Sequence, residues 1–178
     1  MSVLVLYAHP YPRHSRMGRA LLDGVRDLRD VEIRSLYDRY PDFAFDVAAE
    51  QKALRRAKAV VWQCPFYWYG VPALLQHWFE KVLTRGFAHG PGGDALAGKP
   101  LLWVTTTGTP KSAYEADGIH AHPFSAFTSS VEQTARFCGM RWQEPIVVHA
   151  AHEIDRAAVD SAVATYRKRV EELGGGAS

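Results

Sequence analysis

Short apolar runs that alternate with amphipathic segments of helical period predict an α/β fold, a parallel sheet with right-handed crossovers and helices on both faces. Two further observations support it. The runs are nearly continuous in apolar residues, as strands buried on both faces are, and the polar or aromatic loops follow them. The 178 residues, 47% hydrophobic, suffice for one core that buries about 70% of the unfolded surface. A single domain over 1–173 is expected, with 174–178 a flexible tail.

Val3-Leu4-Val5-Leu6-Tyr7 is the first strand, and a Pro-broken loop leads into a helix with Met17, Leu21, Val25 and Leu28 at helical spacing. Val31 to Leu36 is a second β-rich stretch, followed by a helix around Val47 to Ala57 and a buried strand from Ala59 to Cys64. After the loop Pro65 to Gly70, the residues Val71, Leu74, Leu75, Trp78, Phe79, Val82 and Leu83 form a wide apolar stripe, with Pro72 suited to the first turn. Leu101 to Thr106 is the fourth strand, Phe124 to Cys138 the fourth helix and Ile146 to Val148 the fifth strand. The segment from Val159 to Leu173 makes a last amphipathic helix. The connections Arg85 to Lys99 and Gly108 to Pro123 exceed the usual loop of about 4 to 6 residues, which marks both as candidates for function.

Composition narrows the function classes. With 21 basic and 19 acidic residues and no block of like charge, nucleic acid is not a favoured partner. Two cysteines are too few for a disulfide framework and fit a reducing cytoplasm. Met1 to Ala8 lacks a preceding basic region and is cut by His9, Pro10 and Pro12, so it reads as a strand and not as a signal peptide. No stretch approaches the ~20 apolar residues that span a bilayer, so membrane association would run through a partner protein.

In such a sheet the ligand belongs at the carboxyl ends of the strands. The first loop, Ala8 to Arg16, places Ser15 at the N-cap of the first helix. Free backbone N–H groups, the Ser15 hydroxyl, His9 and Arg16 would suit a phosphomonoester, although Ser15 simply capping the helix stays open. Neither G-x-G-x-x-G nor a Walker sequence occurs. The third loop sets Phe66, Tyr67, Trp68 and Tyr69 in one unbroken aromatic run. Core packing does not call for that pattern, and it suits a wall against a planar ligand, with a hydrophobic plug or dimer contact as the other reading. Thr106-Thr107-Gly108-Thr109 would let backbone N–H groups approach the carbonyl edge of a heterocycle. Tyr114 and His120 are placed to donate hydrogen bonds to negative charge on a reduced ring.

Taken in order, Leu6-Tyr7-Ala8-His9-Pro10, Leu36-Tyr37, Tyr40-Pro41-Asp42-Phe43, Ala48-Ala49-Glu50-Gln51, Trp62-Gln63, Pro65 to Tyr69, Thr106-Thr107-Gly108 and Cys138-Gly139 resemble the NAD(P)H:quinone oxidoreductase branch of the flavodoxin-like superfamily. The resemblance spans nearly the whole chain. Its nearest form is the KefF type, ancillary proteins of glutathione-regulated potassium efflux. It implies a flavodoxin-like three-layer sandwich with a five-stranded parallel sheet in the order 2-1-3-4-5. It also implies FMN in preference to FAD, with NAD(P)H as reductant and a quinone or other planar electrophile as acceptor.

His9, Ser15, Arg16, Met17 and Gly18 would then surround the phosphate and ribityl chain. Pro65, Phe66, Tyr67, Trp68 and Tyr69 would line one side of the isoalloxazine, and Thr106, Thr107, Gly108 and Thr109 its pyrimidine edge. Tyr114 and His120, spaced with Gly118 as in larger quinone reductases, would take the catalytic role. Gly18 stands where an Asn is common, and Thr109 where a second Gly is. The resemblance further implies ping-pong kinetics on one ring face, a two-fold homodimer that completes the pocket, and a cytoplasmic protein, peripheral at the membrane only through a partner.

Three rival readings stand beside this one. The eight histidines, including His120-Ala121-His122 and His149-Ala150-Ala151-His152-Glu153, raise a metal hydrolase, but H-E-x-x-H is absent and no metal site is expected. Cys64 as a nucleophile lacks an identifiable histidine partner. A regulatory module docking on a potassium-efflux transporter, with the flavin structural or sensing, is the alternative the resemblance leaves open.

Overall fold

The structure is a computed structural model that describes residues 3–175. Strands β1 (Val3–Tyr7), β2 (Val31–Ser35), β3 (Ala59–Pro65), β4 (Pro100–Thr106), β5 (Arg141–Trp142) and β6 (Ile146–Val148) form one sheet. All its pairings are parallel, in the order β2-β1-β3-β4-β5, with β6 also on β4. The helices are α1 (Arg16–Asp23), α2 (Leu36–Arg39), α3 (Val47–Arg56), α4 (Ala73–Val82), α5 (Ser129–Phe137) and α6 (Arg156–Gly174). Among the described residues no helix is long and apolar enough to cross a membrane.

Strand alternation sorts the core into two halves. Val3, Val5 and Tyr7 of β1 face α1 and α6, while Leu4 and Leu6 face the other side, where α2, α3, α4 and α5 pack. β1 and β3 are buried along their whole length, which is why their sequences are almost free of polar residues. β2 lies at the edge and is half-buried throughout, so it carries Glu32 and Arg34 between Val31, Ile33 and Ser35. Arg34 reaches under the sheet to Glu50 of α3. The Glu50 carboxylate, fully buried, accepts from Arg34 Nη1 at 2.6 Å, Tyr40 Oη at 2.6 Å and Trp78 Nε1 at 3.1 Å.

The expected five-stranded order holds, with one difference at its far edge. Two short strands share the fifth position, pairing with the start and the end of β4. Pro145 stands between them and has no N–H to continue the ladder. The first helix is shorter than its periodicity predicts. It stops at Asp23, yet Val25 is buried and Leu28 packs against the same core from the following turns. α6 crosses closely there, since a Cβ on Gly24 would lie 2.4 Å from Val163 Cγ1. The stretch Phe124 to Cys138 is also not one helix. Phe124–Phe127 forms a 3₁₀ turn, closed by the Thr128 hydroxyl donating to the Ser125 carbonyl at 2.9 Å, and α5 follows.

The long connection 85–99 proves to be structural. It buries Phe87, Ala88 and Leu96, and Lys99 Nζ donates to the carbonyls of Leu54, Arg55 and Ala57 at 2.7, 2.9 and 2.7 Å, closing the C-terminus of α3. At the other end of the chain, α6 is capped by Asp155, whose side chain accepts from Ala158 N at 2.8 Å, and continues through Gly174. The first residue of the expected tail is therefore helical. Gly175 ends the helix in the left-handed conformation, and residues 176–178 lie outside the described residues.

Candidate functional site

The loops that follow β1, β3, β4 and β6 meet at one end of the sheet. They enclose two adjoining depressions of about 420 Å³ and 210 Å³, which share Phe66 and Gly108. His9, Ser15, Arg16, Met17, Gly18, Pro65, Phe66, Tyr67, Thr106, Thr107 and Gly108 line the larger, and Phe66, Trp68, Tyr69, Gly108, Thr109, Tyr114 and His120 the smaller. Every residue expected to hold the cofactor or take the catalytic role thus borders one cavity or the other. Among the described residues no acidic side chain lines either.

The larger cavity contains the N-terminus of α1. The first N–H groups of a helix have no intrahelical acceptor, and Ser15, although at the N-cap, makes no side-chain capping bond. The simple capping role left open for Ser15 is therefore not what the structure shows. Its hydroxyl instead occupies the space beside Gly18, where a Cβ would sit 2.4 Å from Ser15 Oγ and 3.2 Å from Tyr7 Oη. That accounts for glycine at position 18, because a larger side chain would expel the serine hydroxyl from this corner.

His9 is neutral in this setting. Its Nδ1 accepts from Tyr11 N–H at 3.0 Å, which leaves Nε2–H as the donor. Burial, reinforced by the charge of His152, lowers its pKa to about 4. A folded pKa below the unfolded one means that the unfolded chain binds more protons between about pH 4 and 6.5. Stability should therefore rise with pH across that window. Urea midpoints of the ligand-free protein from pH 4 to 7 should show a slope that His9→Gln reduces; an identical slope in the variant would exclude the assignment.

The aromatic loop resolves into different parts. Phe66 turns inward, with its ring centroid 4.9 Å from that of Phe124 and 5.9 Å from that of Phe127. Tyr67 and Gly70 exchange backbone hydrogen bonds of 3.2 and 3.0 Å across a two-residue turn. The two turn residues, Trp68 and Tyr69, have φ of +49° and +64°, the left-handed region that primed hairpin turns require. Bulky residues there cost on the order of 1–3 kcal/mol each, and such strain gathers at ligand sites. The strain holds Trp68 at the rim, 95% exposed.

In the fourth loop, Thr107 N–H donates to Val148 O, Ala151 N–H to Thr107 O and Ala150 N–H to Thr109 O, each at 2.9 Å. Among the described residues the N–H groups of Gly108 and Thr109 have no protein acceptor. The Thr109 hydroxyl donates to Tyr114 Oη at 3.2 Å and lies 3.1 Å from His120 Nε2. With that oxygen satisfied, the Tyr114 proton is left for a ligand. The Tyr114 and His120 rings stack at 4.4 Å. Threonine at 109, where glycine is common, therefore links the two residues expected to be catalytic.

Gly118 allows this loop to fold back, since a Cβ on it would come within 2.4 Å of Ser112 O and 2.5 Å of Ala113 O. Backbone atoms cannot move aside as a side chain can. Gly118→Ala should break the His120 N–H bond to Ala113 O, 3.0 Å long, and displace both rings. The expected consequence is a loss of at least about tenfold in turnover with global stability lowered by only about 1–2 kcal/mol, checked by steady-state kinetics beside thermal melting.

Sequence reasoning missed part of the site. Tyr11, His14, Ala151 and His152 also line the larger cavity, and His149 Nδ1 lies 3.1 Å from Thr107 Oγ1. The signal for His149 and His152 is in the chain, because both follow β6 at its carboxyl end. Among the described residues no group of three or more His, Cys, Asp or Glu is placed to hold a metal ion. Cys64 is buried against Trp103 Nε1 at 3.4 Å, and burial pushes its thiol up to about 12, far from a thiolate nucleophile.

A larger groove of about 840 Å³ runs between α1 and the edge strand β2, past Arg13, Arg19, Leu22 and Ile33. Volume alone would favour it. The smaller pair of cavities gathers the spare N–H donors, the free phenol and the loops from four strand ends, and chemistry decides for them.

Comparison with known proteins gives the fold family. The family model of the flavodoxin-like fold matches residues 1–170. The general stress protein 14 of Treponema denticola, solved in complex with FMN, is 33% identical, with 97% of this chain and 99% of that one covered at a TM-score of 0.92. A thermophilic tryptophan halogenase of Streptomycin violaceusniger is 35% identical over 94% and 97% of the two chains, with a TM-score of 0.90. An NADPH-quinone reductase from P. pentosaceus is 26% identical over 96% and 98%, with a TM-score of 0.87. With a family match over nearly its whole length and a parallel sheet in the order 2-1-3-4-5, the chain belongs to the flavodoxin-like fold family.

Proposed function

We propose that this protein binds FMN and catalyses two-electron transfer from NAD(P)H to a quinone or similar flat electrophile. The observation that carries the reading is one continuous site with two kinds of donor. The start of α1, with Ser15 and neutral His9, suits a phosphate dianion. The free N–H groups of Gly108 and Thr109 and the Tyr114 phenol suit the carbonyl edge of a planar ring. The absence of acidic side chains from both linings fits an anionic cofactor. The FMN-bound T. denticola protein and the P. pentosaceus reductase support the same choice.

FMN, when bound, supplies hydride acceptance and donation. The chain's own residues hold and orient. The α1 N–H groups and Ser15 would hold the phosphate end, and Phe66, Tyr67 and Tyr69 would flank the ring. The Gly108 and Thr109 N–H groups would meet its pyrimidine edge, while Tyr114, backed by Thr109 and His120, would offer a proton donor to negative charge. Nicotinamide and acceptor sharing one ring face in turn would impose a ping-pong order.

Trp68 and Tyr69, with 95% and 51% of their surface exposed, line the smaller cavity, and Ile119, 84% exposed, precedes His120 of the same lining in the chain. In this reading a second copy of the chain covers them, as a homodimer that sedimentation would detect.

Protein purified with FMN and desalted should keep the flavin absorption bands. They should bleach with anaerobic NADPH and return on addition of menadione or benzoquinone. Failure to retain flavin overturns the reading; retention without turnover on any acceptor would favour a regulatory role beside a transporter.

A further inference from the structure

The Thr107 hydroxyl has one proton to give and lies between two partners, the Thr109 carbonyl at 2.8 Å and His149 Nδ1 at 3.1 Å. A carbonyl oxygen only accepts, so the Thr107 proton goes there. The contact with His149 then requires Nδ1 to be the donor. This fixes the neutral Nδ1–H tautomer, with the lone pair on Nε2. Burial, aided by the charge of Lys111, lowers the pKa of the ring and keeps it neutral.

The direction of this relay matters for the loop. Thr109 O receives two donors, Thr107 Oγ1 and Ala150 N–H, and is thereby tied back toward the end of β6. With that carbonyl held, the N–H groups of Gly108 and Thr109 stay without protein acceptors, and Thr109 Oγ1 is placed between Tyr114 and His120. Were Thr107 free to rotate its proton toward His149, the loop would lose one of the two bonds on Thr109 O.

We propose that His149 is a positioning residue: its Nδ1–H sets the Thr107 hydroxyl, and through it the Thr109 backbone and side chain that receive the ring of a bound flavin. The role rests on the FMN reading above, but its hydrogen-bond pattern belongs to the protein alone. His149→Phe keeps a ring and deletes the donor; His149→Asn keeps an amide donor near the place of Nδ1. Loss of one part-buried hydrogen bond that orders a binding loop corresponds to about tenfold in affinity.

The test has two parts. FMN titrations followed by flavin fluorescence should give a dissociation constant about tenfold higher for His149→Phe and within about threefold of wild type for His149→Asn. The bound-flavin absorption maximum should shift in the first variant only. Wild-type affinity and spectrum in His149→Phe, or equal loss in both variants, overturns the donor role. Nitrogen-15 chemical shifts of the FMN-free protein read the tautomer directly. Nδ1–H on His149 supports the proposal even should FMN fail to bind, and Nε2–H rejects it whatever the cofactor.

Discussion

Replacing Glu50 with leucine is expected to cost about 3–5 kcal/mol, a large share of the 5–15 kcal/mol that holds a domain together. The carboxylate is wholly buried and three donors from separate elements converge on it: Arg34 of β2, Tyr40 just past α2 and Trp78 of α4. Without it the Arg34 guanidinium, 12% exposed, keeps only Glu32 at 2.9 Å, and two further buried donors lose their acceptor. Glu50→Gln retains an acceptor and should lose less. Arg34→Met combined with Glu50→Leu should recover part of the loss, since no lone charge stays buried. Urea unfolding of the three variants checks the order, and an unchanged midpoint in Glu50→Leu would show that the network contributes nothing. The network lies beneath the sheet and apart from both cavities, so FMN affinity under native conditions should hold.

Tyr114→Phe together with His120→Ala should slow flavin reduction by NADPH about 100-fold, the scale of losing a donor aimed at developing charge. FMN affinity should change by no more than a few-fold, because the phosphate end of the site is untouched. Tyr114→Phe alone should account for most of the effect, as the phenol carries the available proton and His120 acts beside it through Thr109. Stopped-flow reduction in anaerobic buffer separates this from binding. An unchanged rate in the double variant would reject the role of both residues.

Much of this fold is legible in the sequence because its determinants are local. The runs at Val3–Tyr7 and Ala59–Cys64 read as buried strands, and that is how they sit, with Pro65 added to the end of the second. α3 begins where Asp46 can cap it, with the side chain accepting from Ala49 N at 2.9 Å. The phosphate-like loop and the aromatic loop are legible because each directly follows a strand, and the Tyr114 to His120 segment because it lies in the long connection after β4. Periodicity misjudged the helix ends at Asp23 and Ser129, since residues in turns can face the same core as the helix they adjoin.

By itself the sequence determined the element types, the parallel sheet and the strand ends at which a site would form, all consequences of hydrophobic period and chain connectivity. Only the tertiary structure decided what happens between segments distant in the chain: the divided fifth strand, the structural use of 85–99, the Glu50 network and the meeting of His149 with Thr107. Hydrogen-bond partners from ten to more than forty positions apart leave no periodic trace along a chain. Which of several donors reaches an acceptor is settled by packing geometry, within tenths of an ångström.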